Sequence, residues 1–124
     1  MAARSHIVTS EEPRLGLRIV ARQHGATSTI AVQGEWDLAQ RQRTREAVHV
    51  ALRPRPECLV VDLGELEFID SSGISVLIDA HRRCAASDTR LVIIPGPRAV
   101  QRVFELCGLN EILTFATEHP HASD

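Results

Sequence analysis

The stretch Cys58-Leu59-Val60-Val61-Asp62-Leu63 is apolar on both of its alternating phases, and segments of helical periodicity lie on either side of it. A strand of that composition must be covered on each face or flanked by parallel neighbours. It predicts the central strand of an α/β sheet, and the remaining pattern agrees. Upstream, Leu15, Leu17, Ile19 and Ala21 alternate with Gly16, Arg18, Val20 and Arg22, which reads as a half-buried strand. His24-Gly25-Ala26-Thr27 supplies a turn, and alternation resumes over 29–33 through Ile30 and Val32, completing a hairpin. Gly34-Glu35-Trp36-Asp37 ends that strand, and Asp37 with Gln40 makes a capping-box-like start for a helix reaching about Leu52. Val48, Ala51 and Leu52 mark its inward side; Pro54 and Pro56 close it.

A second helix, from Ser71 to about Ala86, carries Ile74, Leu77, Ile78, His81 and Cys84 at helical spacing. A strand over 90–94 stops at Pro95-Gly96-Pro97. Val100, Val103, Phe104 and Cys107 then stripe a third helix with Gly108 as its natural C′ residue. Ile112-Leu113-Thr114-Phe115 reads as a short last strand. The predicted order is β-β-α-β-α-β-α-β, a single α/β domain over residues 14–117 with an N-terminal hairpin and a mixed, mostly parallel sheet joined by right-handed β-α crossovers. Residues 1–13 read as a flexible polar tail and 118–124 as a second one. The connections 35–37, 64–70 and 95–97 all follow carboxyl ends of strands, so they should meet at one edge, where α/β sheets usually bind partners.

Composition narrows the function classes. The chain has 124 residues and a net charge of −2, which gives no reason to expect nucleic acid or an anionic membrane as a partner. All its basic residues are arginine. The N-terminus lacks an apolar signal region, and no apolar run approaches the roughly 18 residues of a membrane helix. Cys58, Cys84 and Cys107 are odd in number, never in a Cys-x-x-Cys pair, and each falls on an apolar phase. They read as small buried hydrophobes in a reducing cytoplasm. His81 and Cys84 could supply half a zinc site, but no second pair lies near in sequence and a satisfied core histidine is the simpler reading. There is no Gly-x-x-x-x-Gly-Lys loop and no Gly-x-Ser-x-Gly elbow, so neither ATP use nor nucleophilic catalysis is expected; the chain reads as a non-enzyme without cofactor or metal.

The chemistry concentrates in Leu66-Glu67-Phe68-Ile69-Asp70-Ser71-Ser72-Gly73-Ile74-Ser75, where a strand hands over to a helix. Backbone N–H groups and the macrodipole at a helix start favour an anion, so Ser71 can carry a phosphate without breaking the fold. The bland alternative is that Asp70, Ser71 and Ser72 are ordinary capping residues, worth about 1 kcal/mol with no switching. The two roles are compatible if Asp70 caps while the Ser71 hydroxyl stays exposed. Ser72 is the fallback acceptor, though it is expected to turn inward or bond the local backbone. Asp37 is most simply a second cap. Trp36 is either a core aromatic or an interface anchor.

These residues resemble the STAS domain family, and within it the bacterial anti-sigma factor antagonists. The resemblance spans about residues 15–116. It rests on Gly34-Glu35-Trp36-Asp37, on Val61-Asp62-Leu63 leading to Phe68-Ile69-Asp70-Ser71-Ser72-Gly73, and on Pro97-Arg98-Ala99-Val100-Gln101-Arg102-Val103-Phe104 with Gly108-Leu109. It implies an antagonist that, unphosphorylated, binds an anti-sigma factor serine kinase and so releases the sigma factor. The kinase would phosphorylate Ser71, and a PP2C-type phosphatase would reset it. Asp37, Asp70, Ser71, Ser72, Gly73 and Trp36 are the implied partner-binding residues. Trp36 stands where the family usually has a small aliphatic residue, and the polar tail cannot supply the family's usual final helix, so self-association stays open. The alternative is a non-switching STAS scaffold or accessory subunit of a sensory or transporter complex.

Overall fold

The computed structural model describes residues 5–12, as backbone, and residues 16–117. In chain order it contains β1 (Ser5–Glu12), β2 (Leu17–His24), β3 (Thr27–Trp36), α1 (Arg41–Leu52), β4 (Cys58–Asp62), β5 (Leu66–Ile69), α2 (Ser71–Ala86), β6 (Arg90–Ile94) and α3 (Arg98–Leu106), with 3-10 turns at Leu38–Gln40 and Leu109–Glu111. The sheet runs β1-β2-β3-β4-β6, and β5 pairs with β3. Three pairings are parallel and two antiparallel, the mixed and mostly parallel sheet expected from the sequence.

The length of β3 organises the domain. Its first half pairs with β4, Thr27 opposite Cys58 through Ala31 opposite Asp62; its end pairs with β5, Trp36 opposite Ile69. The register shifts between Gly34 and Glu35. Gly34 has φ +103°, and a Cβ there would lie 2.3 Å from the Gly16 carbonyl oxygen, which accepts the Glu35 N–H at 2.8 Å. A side chain at position 34 would therefore break the step that passes β3 from β4 to β5.

All three helices contribute to one core with the alternate residues Ile30 and Val32 of β3, Leu59 and Val61 of β4, and Leu91 and Ile93 of β6. The opposite phase of β4 and β6 supplies a smaller cluster of Cys58, Val60 and Ile94 with Val92 beside it. That is why the 58–63 run, Asp62 apart, is apolar on both phases.

Several expectations need correction. The segment read as a flexible N-terminal tail contains β1, laid antiparallel along β2. An edge strand is held through its backbone ladder and needs little apolar side-chain pattern to announce it. The 64–70 connection contains the strand β5, only 4 residues long. The last strand reduces to an isolated bridge between Ile93 and Phe115, because Ile112 and Leu113 donate their N–H groups back to Leu109 in the 3-10 turn. Gly108 does take the left-handed conformation, at φ +72°. The capping box is half formed: Asp37 caps, but Gln40 is fully buried and its Oε1 accepts from Arg43, which also donates to the Leu17 carbonyl. Leu15 and the 118–124 tail lie outside the described residues.

Cys58 and Cys84 are buried as expected, whereas Cys107 is exposed beyond the end of α3. Burial pushes the Cys84 thiol from about 9.0 up to about 11, with Cys58 adding and Arg83 opposing. In folded protein at pH 8, a thiol-alkylating reagent should therefore modify Cys107 first and leave Cys84 untouched until denaturant is added. The sign of the linkage follows from the raised value: the unfolded chain gives up this proton first. The contribution of Cys84 to stability is therefore complete below about pH 9 and lost as pH climbs toward about 11. Equal labelling of both thiols in the native state would contradict this burial.

Candidate functional site

Two parallel strands, β3 and β5, end side by side, and each is followed by an aspartate that caps a helical segment. Asp37 (φ −118°, ψ −170°) accepts the Ala39 N–H at 3.1 Å, and Asp70 (φ −116°, ψ −169°) accepts the Ser72 N–H at 2.8 Å. The Asp70 N–H donates to the Trp36 carbonyl at 3.2 Å, which locks the two strand ends in register. Asp37 and Asp70 are therefore the next pair beyond Trp36 and Ile69. The pairing of β3 with β5 thus brings Asp37 and Asp70 to adjacent strand ends, Asp70 directly before Ser71 in the chain.

Ser71 is the first residue of α2 and is exposed; Ser72 is half-buried, and its N–H is held by the Asp70 cap. The Asp70 carbonyl accepts from Ile74, so Asp70 takes two N–H groups of the first turn of α2 without help from the Ser71 hydroxyl. The cap thus falls on Asp70 and leaves the exposed Ser71 outside it. Asp70→Ala removes the side-chain acceptor for the Ser72 N–H and is expected to cost about 1 kcal/mol of stability, read from the denaturant midpoint. No change in midpoint would mean that the cap contributes nothing here.

Two residues expected to contact a partner lie inside. Trp36 is 1% exposed, and its Nε1–H donates to Thr44 Oγ1 at 3.1 Å, while the Thr44 hydroxyl donates to the Gln40 carbonyl at 2.9 Å. The indole is a core aromatic with its polar tip satisfied by α1. Gly73 is buried where α2 crosses the end of the sheet: a Cβ would meet Ile69 Cγ1 at 2.7 Å and the Trp36 ring at 3.0 Å. Both residues position Asp37, Asp70 and Ser71 from below rather than touch a partner.

The structure adds two neighbours that the sequence reading passed over. Leu38, directly after Asp37, is 66% exposed, and Phe68 on β5 is 48% exposed. In Leu66-Glu67-Phe68-Ile69 the ends are buried and the middle faces out, so Phe68 breaks the inward pattern. That misplaced aromatic was the available signal. The other connections gather at the same edge, with Gly34 N–H donating to the Glu65 carbonyl and Leu63 N–H to the Ile94 carbonyl. Among the described residues, no group of three or more His, Cys, Asp or Glu side chains is placed to hold a metal ion. No described helix is long and apolar enough to cross a membrane.

Residues 19–114 match the family model described as "Mlab, STAS domain". The chain belongs to the STAS domain family. Among curated relatives of this STAS domain, the anti-sigma-F factor antagonist RsfA of Mycobacterium tuberculosis is 28% identical over 99 residues, 78% of this chain and 77% of the relative. The anti-sigma-B factor antagonist of Listeria monocytogenes is 30% identical over 84 residues, 68% of this chain and 74% of that one. These relatives are regulatory binding proteins rather than enzymes. The fold matches a crystal structure of an anti-sigma factor antagonist from Mycobacterium paratuberculosis with TM-score 0.79 at 22% identity, covering 92% of this chain and 96% of that one. It also matches the phosphorylated form of the Bacillus cell fate determinant SpoIIAA, with TM-score 0.62 at 19% identity and coverage of 95% and 97%.

Proposed function

We propose that this STAS domain is an anti-sigma factor antagonist that binds an anti-sigma factor serine kinase while Ser71 is unmodified, and that phosphorylation of Ser71 by that kinase releases it. A PP2C-type phosphatase would restore the binding form. The observation that carries the reading is the exposed Ser71 hydroxyl on the first turn of α2, beside two capped strand ends whose carboxylates are already committed to backbone N–H groups. The names of the curated relatives support the antagonist role, and the phosphorylated SpoIIAA supports modification as its switch.

The physics needs no refolding. A phosphate adds about −1.5 to −2 charge at pH 7. The positive end of the α2 dipole accommodates it, so the domain stays folded. Asp37 and Asp70 make the surrounding field negative in advance. A partner surface complementary to a neutral serine then meets like charge and a desolvated phosphate. Leu38, directly after Asp37, and Phe68, three residues before Ser71, supply exposed apolar area on the two connections that carry the aspartates, and docking over them that buries the hydroxyl would sharpen the penalty. Incubating the chain with its cognate kinase and ATP, then mapping phosphate by mass spectrometry, tests the site. Phosphate on Ser71 with loss of the complex is expected; phosphate confined to Ser72, or Ser71 phosphorylated within an intact complex, contradicts the switch.

A further inference from the structure

The opposite ends of α1 and α2 enclose a concavity of about 420 Å³ that the reading at Ser71 leaves without a role. Arg53, Arg55, Arg83 and His49 line it together with the apolar Leu52 and Ala86, and no carboxylate lies among its lining residues. We propose that it binds a small phosphorylated solute. Arg83 follows Ser71 by 12 residues on α2, about 18 Å along the axis, so the two sites do not overlap.

A structural account of these arginines would have them offset the negative ends of α1 and α2. Each helix end carries roughly −0.5 charge, so two ends ask for about one positive charge. Three guanidinium groups exceed that requirement, in a chain whose net charge is −2. The carboxylates Glu46 and Asp79 line the adjoining concavity, which also includes Arg45, His49 and Arg83.

The loop that presents two of the arginines is stiff. Arg55 holds a left-handed φ of +53°, a conformation unfavourable to any residue with a Cβ, and its N–H is bonded to the Leu52 carbonyl at 3.1 Å. Pro54 and Pro56 flank it, and the Pro56 carbonyl accepts from the buried Thr89 hydroxyl at 2.9 Å. Across the groove, Arg83 is oriented by donating to His49 Nδ1 at 3.0 Å. Guanidinium forks gathered around a concavity, two on a constrained backbone and one bonded to His49, suit the bidentate oxygens of a phosphate. The volume lies within the range of small-molecule sites, and Leu52 and Ala86 offer a wall for a short apolar moiety.

Pyrophosphate titrated into the isotopically labelled full chain at constant ionic strength is the test. Saturable amide shifts are expected over 52–57 and 83–88, with the amides of Asp37 and Ser71 unmoved. Arg55→Gly is the decisive variant, because glycine accepts the left-handed backbone while the guanidinium is lost. It should bind at least about tenfold more weakly with a melting temperature no lower than wild type, and Arg83→Gln should weaken binding similarly. No saturable shift by about 10 mM, shifts centred on Ser71, or wild-type affinity in both variants would each overturn the site. None of these results depends on whether Ser71 is a kinase substrate.

Discussion

Ser71→Asp is expected to bind the cognate kinase about tenfold or more weakly than wild type, while Ser71→Ala stays within about threefold of it. Alanine removes a hydroxyl that α2 does not use for its own hydrogen bonding, so neither the fold nor the docking shape changes. Aspartate places one charge next to Asp37 and Asp70, and phosphate places nearly two. Like-charge juxtaposition across an interface costs several kcal/mol, and about 1.4 kcal/mol is a factor of ten. The order Ser71→Ala, then Ser71→Asp, then phosphoserine therefore follows from charge alone. Titration of the kinase with each variant reads it, and indistinguishable affinities for alanine and aspartate would leave the electrostatic account without support. The constitutive scaffold alternative predicts that equality.

Trp36→Ala should destabilise the domain by about 3–5 kcal/mol, the cost of emptying a buried aromatic site. That is a large share of the roughly 5–15 kcal/mol available to a domain. The indole lies at the end of β3 under the Asp37–Asp70 pair, against Gly73 on one side and bonded to Thr44 of α1 on the other. Its removal loosens the joint between β3, α1 and α2. Urea denaturation of the variant measures the loss. A change below about 1 kcal/mol would mean that the surrounding elements collapse into the space, or that the ring is not the packed element described. Trp36→Phe should retain most of the apolar burial and lose chiefly the hydrogen bond to Thr44.

Strong periodicity carried furthest. Leu17, Ile19, Ile30 and Val32 of the hairpin, both phases of β4, and Ile74, Leu77 and Cys84 of α2 are buried where the phase placed them, whereas Ile78 and His81 are only half-buried and Val76 and Ala80 are buried off the expected stripe. The resemblance implied Asp37 and Asp70 as partner-binding residues, but not why they lie on adjacent strand ends. The cause, two parallel strands ending together, depends on β5, too short to declare itself. β1 was hidden because an edge strand shows its pairing in the backbone rather than in side chains. Cys107 sits on the apolar phase of α3 but past its last helical turn, so phase no longer predicted burial. Gly73 looked like part of a contact motif. Only the 2.7 Å approach of its absent Cβ to Ile69 identifies it as a packing residue.

Charge at Ser71, without a change of fold, is expected to decide whether the partner binds. The most direct measurement is calorimetric titration of the kinase against the chain phosphorylated at Ser71 and against the same sample after phosphatase treatment. An affinity loss of about a hundredfold or more, fully reversed by the phosphatase, is the expected result. Equal affinity of the two forms, with phosphate verified on Ser71, would contradict it.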